Sequence, residues 1–232
     1  MVPSQFSRNH YQKTLGLDCT VIPSPINWDR VRCEPDPARR FVTFVNPQAT
    51  KGVYVFARIA LELGRLRPDI PLLVVEGRGR AKDSLERTGA DLSRLANLHR
   101  MANTPDPRDF YRVTHLMLMP SLWNESFGRV AAESLINGIP VLASRRGALA
   151  ETLAATGYLF DIPARYTPDS RILPTAGEVA PWVNTIMRLW DEPELYDRQR
   201  QRCITAAGIW HPDRLADEYE RFLRSLLKTP AA

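Results

Sequence analysis

Pro120-Ser-Leu-Trp-Asn-Glu125-Ser-Phe-Gly-Arg-Val-Ala-Ala-Glu133 reads as the end of a strand, a tight loop and the opening of a helix. Upstream, the apolar run at 116–119 is closed by Pro120, the pattern of a buried parallel strand. Downstream, Val130, Ala131, Ala132, Leu135 and Ile136 recur with helical spacing after Gly128, and Asn137-Gly138 supplies the stop. Residues eight apart on one helix differ by about 80°, so a shared helix face does not account for Glu125 and Glu133. With Glu125 in the loop and Glu133 on the helix, both carboxylates can instead approach a ligand seated on the helix N-terminus. That terminus is expected to offer unpaired N–H groups from Phe127, Gly128, Arg129 and Val130, a seat for a phosphate. Carboxylates present only acceptors, which suits sugar hydroxyls that must donate. A phosphate seat flanked by two hydroxyl acceptors points to a nucleotide-sugar site.

On either side of this stretch the chain alternates strand and helix patterns. Strands are expected at 41–45, 72–76, 98–101, 116–119, 140–143 and 158–160. An amphipathic helix over 53–65 puts Val53, Phe56, Ile59, Ala60 and Leu63 on one face. Repeated βα units imply an α/β fold, a Rossmann-like parallel sheet with helices on both faces. In such sheets ligands bind beyond the carboxyl ends of the strands. Residues 46–52, 101–103 and 121–128 all fall at such ends. Residues 161–177 carry three prolines and no period, so a long loop is expected there. Helices follow at 179–190, 194–207 and about 213–227. Ahead of the sheet, a helix over 4–14 ends at Gly16, and a short strand is expected at 19–22 before Pro23-Ser-Pro25.

The bulk properties narrow the classes. The 232 residues suffice for one sizeable domain. No apolar stretch is long enough to span a bilayer, and the N-terminus lacks a signal-peptide layout. Cys19, Cys33 and Cys203 are far apart and odd in number, which fits reduced thiols and a cytoplasmic setting. His10, His99, His115 and His211 have no metal-ligand spacing. A net charge of +5 suits a phosphate-bearing ligand. The arginines are interspersed with acids, however, and no basic stripe carries stacking aromatics, so no nucleic-acid partner is expected. Trp123, Trp182 and Trp190 read as packing residues, with Trp123 set apart because it lies in the site loop.

Glu125-x7-Glu133, Asn137-Gly-Ile-Pro-Val-Leu-Ala-Ser144 and Gly147-Ala-Leu-Ala-Glu151 together resemble the signature of the family 4 retaining glycosyltransferases (glycosyltransferase group 1). The resemblance implies the second, donor-binding Rossmann-like domain of a two-domain GT-B enzyme. Residues 1–30 then read as the tail of a preceding domain and the link, 31–210 as the nucleotide-sugar-binding domain, and 211–232 as a C-terminal helix. The resemblance also implies roles. Lys51, before Gly52, would meet the donor diphosphate and offset charge on the leaving phosphate. Glu133 would accept ribose hydroxyls. Glu125 would hold the donor sugar and support positive charge as the glycosidic bond breaks. Phe127, Gly128, Arg129 and Val130 would contribute mainly backbone N–H groups, and the base would lie against the backbone from Met101 to Asn103. Where the family usually has an arginine five residues before the lysine, this chain has Asn46, leaving Arg129 or Arg145 to compensate. Arg146 and Glu151 read as structural.

Aspartate pairs of the Asp-x-Asp form are absent, so no metal or other cofactor is expected. The partners implied are a nucleotide-sugar donor and an acceptor domain, either missing here or supplied by a partner chain. A lipid-linked acceptor would bring the protein to a membrane peripherally. Transfer with retention is the activity implied, the departing phosphate oxygen taking the acceptor's proton on the same face. Two alternatives stand beside it. One is a non-catalytic nucleotide-sugar-binding module acting with a separate acceptor-domain chain. The other is an epimerase or phosphorylase of similar architecture, against which the Glu-x7-Glu block argues.

Overall fold

The computed structural model describes residues 1–37, 39–77, 80–154 and 156–228. Its centre is a six-stranded parallel sheet in the order β3-β2-β1-β4-β5-β6. The strands are β1 (Phe41–Val45), β2 (Leu72–Val75), β3 (Leu98–Met101), β4 (Thr114–Met119), β5 (Val141–Ser144) and β6 (Tyr158–Phe160). The helices are α1 (Gln5–Leu15), α2 (Trp28–Val31), α3 (Val53–Leu66), α4 (Ala81–Glu86), α5 (Arg108–Tyr111), α6 (Arg129–Ile136), α7 (Leu149–Leu153), α8 (Ala176–Asp191), α9 (Pro193–Ala207) and α10 (Pro212–Lys228). The last four residues of the expected C-terminal helical region lie outside the described residues.

Both faces of the central strands are covered, which is why β2 is wholly apolar and buried, whereas the edge strand β3 carries His99 and Arg100 exposed. Alternate side chains feed two cores. Val42, Phe44, Leu72, Val74, Leu116, Leu118 and Leu142 face α3, α4 and α8. Leu73, Val75, Met117, Val141 and Ala143 face α5, α6, α7 and α9. Phe44 and Phe56 stack at 4.7 Å across the first core, a geometry that contributes about 1 kcal/mol beyond area burial.

The expected strand at 19–22 is corrected. Only an isolated parallel bridge joins Val2 to Val21, because the partner segment is cut short by Ser4, which caps α1 by accepting from the Ser7 N–H. A strand needs a neighbour long enough to continue the ladder. Helix α8 starts three residues earlier than expected, at Ala176, through a capping box between Thr175 and Glu178. The long loop before it is pinned: Tyr166 is buried and its hydroxyl donates to Glu178 Oε2 at 2.8 Å. Helices α2, α4, α5 and α7 are six residues or fewer, too short for a period to betray them. Helix α10 packs Leu215 into the second core, and Tyr219 donates to the Pro23 carbonyl at 3.1 Å. Beyond that point Leu223, Leu226 and Leu227 are exposed.

The sheet order reverses between β1 and β4. Strands after β1 are added on one side up to β3, and β4 then returns to the other. The carboxyl ends of β1 and β4 therefore face a crevice that no crossover fills, the position where α/β sheets bind ligands.

Candidate functional site

The crevice is a cleft with about 620 Å³ of open volume, lined among others by Asn46, Lys51, Ser121, Glu125, Gly128 and Arg129. Lys51 ends a short 3₁₀ turn after β1, and Glu125 lies in the loop after β4. The Thr50 carbonyl binds the two segments together, accepting from the N–H groups of Leu122 at 2.9 Å and Trp123 at 3.0 Å. Lys51 Nζ meets Glu125 Oε1 at 2.6 Å, with 33% of the lysine and 12% of the glutamate side chain exposed. Ser121 donates to the same Glu125 oxygen at 2.9 Å. Its own loop is held by Ser144, which donates to the Ser121 carbonyl at 2.5 Å.

The Glu125 backbone is clasped from β5. Ala148 N–H donates to its carbonyl at 2.7 Å, and Gly147 presses against it with a φ of 58°. A Cβ at Gly147 would overlap the Glu125 backbone and approach the Asn124 carbonyl carbon to 2.6 Å.

Helix α6 opens at Gly128, whose φ of 81° is left-handed. Among the described residues, the N–H groups of Phe127, Gly128, Arg129 and Val130 make no hydrogen bond, and the last three belong to residues that line the cleft, so the helix end presents donors there. The glycine is required from the protein side as well, since a Cβ there would sit 2.6 Å from Leu149 Cδ2. Phe127 itself is buried in the second core, and its carbonyl accepts from Thr152.

Glu133 is set behind the cleft, 7% exposed. Arg129 Nε donates to its Oε1 at 2.7 Å, and the Tyr111 hydroxyl donates to its Oε2 at 2.7 Å. Burial, reinforced by the Glu133 carboxylate, pushes the Tyr111 hydroxyl well above the ordinary phenol range. Met101 ends β3, two strands away from β1, and lies outside the cleft lining. The structure thus brings together Asn46, Lys51, Glu125, Gly128, Arg129 and Val130, and sets Phe127, Glu133 and Met101 back.

Asn46 adopts a left-handed φ of 61°, a conformation asparagine tolerates better than most residues. Of the two arginines that could compensate for its missing charge, Arg129 lines the cleft, whereas Arg145 pairs with Asp161 at 3.1 Å on the surface. Arg146 donates to the Tyr166 carbonyl at 3.1 Å and so ties down the long loop. Glu151 caps α1, accepting from the N–H groups of Gln5 at 2.8 Å and Phe6 at 3.1 Å. Both fit the structural reading. Trp182 is buried, while Trp123 is 54% exposed and lines a neighbouring cleft with Phe6 and Tyr11 rather than the Lys51–Glu125 one.

Ser121 and Tyr111 were not foreseen as site residues. Ser121 stands four before Glu125 in the quoted stretch, and that spacing was the available signal. Tyr111 carries no local signal at all. Among the described residues no three His, Cys, Asp or Glu side chains gather where a metal could be held, and no helix is long and apolar enough to cross a membrane.

A six-stranded parallel sheet in this order, with a cleft at its reversal point and a bare helix N-terminus, defines a Rossmann-like domain of the kind found in GT-B glycosyltransferases. Residues 35–202 match the family described as glycosyl transferases group 1, and the chain belongs to that family. It is 30% identical over 205 residues to a D-inositol 3-phosphate glycosyltransferase of Arthrobacter sp. (strain FB24), covering 84% of this chain and 45% of that protein. Its fold is similar to a glycosyltransferase from Rickettsia africae ESF-5, with a TM-score of 0.77 at 17% identity over 98% of this chain and 63% of the other. It is likewise similar to the pneumococcal O-GlcNAc transferase GtfA, solved with UDP and GlcNAc, with a TM-score of 0.78 at 12% identity over 98% and 45%. The chain spans about half the length of the curated relatives it matches.

Proposed function

We propose that this chain is the donor-binding part of a glycosyltransferase that moves a sugar from a nucleotide-diphosphate donor to an acceptor with retention. The observation that carries the reading is the meeting of Lys51 and Glu125 at 2.6 Å beside the free N–H groups of the α6 terminus. A cation and a helix N-terminus converge where a diphosphate would sit, and they stabilise the charge that grows there as it leaves. Glu125 is within reach of the same point and accepts sugar hydroxyls, and Glu133, behind the cleft with 9% of its side chain open, accepts those of the ribose at its inner edge. In the transfer, the bond from the sugar's anomeric carbon to the phosphate oxygen breaks and a bond to the acceptor oxygen forms on the same face. The acceptor's proton passes to the departing phosphate. This reading calls for no metal, and it leaves the acceptor to another domain or chain.

The test is calorimetric titration with UDP, GDP, ADP and TDP, on wild type and Glu133→Ala. Saturable binding of one nucleotide, weakened about tenfold or more by the substitution, is the expected result. Folded protein that binds none of the four, or binds one equally well without Glu133, overturns the reading.

A further inference from the structure

Glu133 is oriented from two sides by the protein itself. Tyr111 takes a position on Oε2 and Arg129 one on Oε1, each at 2.7 Å. Burying a carboxylate is unfavourable, and a buried tyrosine hydroxyl could have been satisfied by any backbone carbonyl, so the pairing calls for a reason beyond packing. Tyr111 is wholly buried on α5, a short helix outside the sequence motif, with its ring 4.4 Å from that of Phe110. An ionised carboxylate offers about four acceptor positions. With one taken on each oxygen, about one remains on each, and the side chain keeps 9% of its surface open. Two acceptors side by side match two donors on adjacent carbons, as the 2′ and 3′ hydroxyls of a ribose provide.

We infer that Tyr111 is a positioning residue that sets the Glu133 carboxylate for a vicinal diol, so that the site selects ribonucleotides over their 2′-deoxy forms. The inference rests on the donor-site reading above. Tyr111 does not touch the ligand; it acts by fixing the plane of the acid that does.

The experiment compares calorimetric affinities for UDP and 2′-deoxyuridine diphosphate, or the matching pair if GDP or ADP binds instead, in wild type and Tyr111→Phe. Phenylalanine keeps the ring and removes only the hydroxyl. Wild type is expected to prefer the ribo form by about tenfold or more, and Tyr111→Phe to lower that ratio at least about threefold. A purely structural tyrosine would lower the melting temperature, or weaken both ligands equally, and leave the ratio unchanged; that result overturns the inference while the donor site stands. Wild type that binds nucleotide without ribo preference overturns it too, and wild type that binds no nucleotide overturns both. Arg129→Met is the second variant, usable if Tyr111→Phe does not fold, because the Arg129 side chain is 61% exposed. Its ratio must fall as well, since Glu133 then keeps only one of its two supports.

Discussion

Replacing Gly147 with alanine should damage the site from outside it. The residue lies after β5, yet its missing side chain is what lets the loop carrying Glu125 close. Two effects add. A left-handed backbone carrying a Cβ costs about 1–2 kcal/mol, and φ here is 58°. The new Cβ would also stand 2.6 Å from the Asn124 carbonyl carbon, where ordinary contact begins at 3.4 Å. Relief of that contact alone requires a shift of about 0.8 Å, the tighter overlap with the Glu125 backbone requires more, and overpacking of this kind typically costs about 1–3 kcal/mol. The sum, about 2–5 kcal/mol, corresponds to a fall in melting temperature on the order of 10 °C for a domain of this size. The Glu125 carboxylate should move with its backbone and lose its contacts to Lys51 at 2.6 Å and Ser121 at 2.9 Å. Differential scanning calorimetry reads the loss of stability, and titration with a nucleotide-sugar donor beside its bare nucleotide reads the displaced carboxylate, which should weaken the former more than the latter. Gly177→Ala is the control, since a Cβ there meets nothing within 4 Å and an alanine in a helix is stabilising by up to about 1 kcal/mol. If Gly147→Ala melts within about 2 °C of wild type, the clasp on the Glu125 loop is not what the geometry says it is.

Two other predictions concern the frame around the site. His115 stacks on Tyr196 at 3.8 Å, and burial, with Arg39 nearby, lowers its pKa to about 4. Its folded value lies below the ordinary 6.5, so its share of stability is fully present above that pH and is lost as pH falls through about 4, amounting to about 3 kcal/mol. Melting temperatures measured from about pH 7 down to pH 4.5 should fall less steeply in His115→Gln than in wild type, and identical slopes would contradict the assignment. Glu151→Ala removes the acceptor for the first two N–H groups of α1, at a cost of about 1 kcal/mol. Hydrogen exchange should speed up across 5–15 while nucleotide affinity holds within about twofold; unchanged exchange would show that α1 is anchored by other contacts.

Most of the strands were legible because they are short, largely apolar runs ended by a proline, a glycine or a polar cluster; the edge strand β3, Leu-His-Arg-Met, is marked instead by its place in the strand–helix alternation, and all six fall within two residues of their expected bounds. The single missing element, 19–22, carried the right residue types but had no continuous neighbour to pair with, and pairing is not a local property. Short helices such as α5 escaped notice because four residues complete little more than one turn, too few for a periodicity. That omission hid Tyr111, whose only signal is its position against Glu133 in three dimensions. Glu133 showed the same limit from the other side. Its place on α6 could be read, but not that its carboxylate would be held from both sides by Arg129 and a buried hydroxyl.

The convergence of Lys51 on Glu125 shows what decides such a site. The two are 74 residues apart, and no spacing rule connects them. They meet because β1 and β4 are adjacent in the sheet, and the carboxyl ends of adjacent parallel strands are neighbours whatever the length of chain between them. Alternation of strand and helix predicts a parallel sheet but leaves its strand order open. Had β4 been added beside β3, Glu125 would lie three strands from Lys51, and the cleft would not exist. The same adjacency brings β5, and with it Gly147 and Ala148, against the other flank of the Glu125 loop. The lysine turn, the glutamate loop and the glycine turn are read from sequence as three features, but mechanically they are one clasp. A substitution in any of them should therefore be felt first at Glu125.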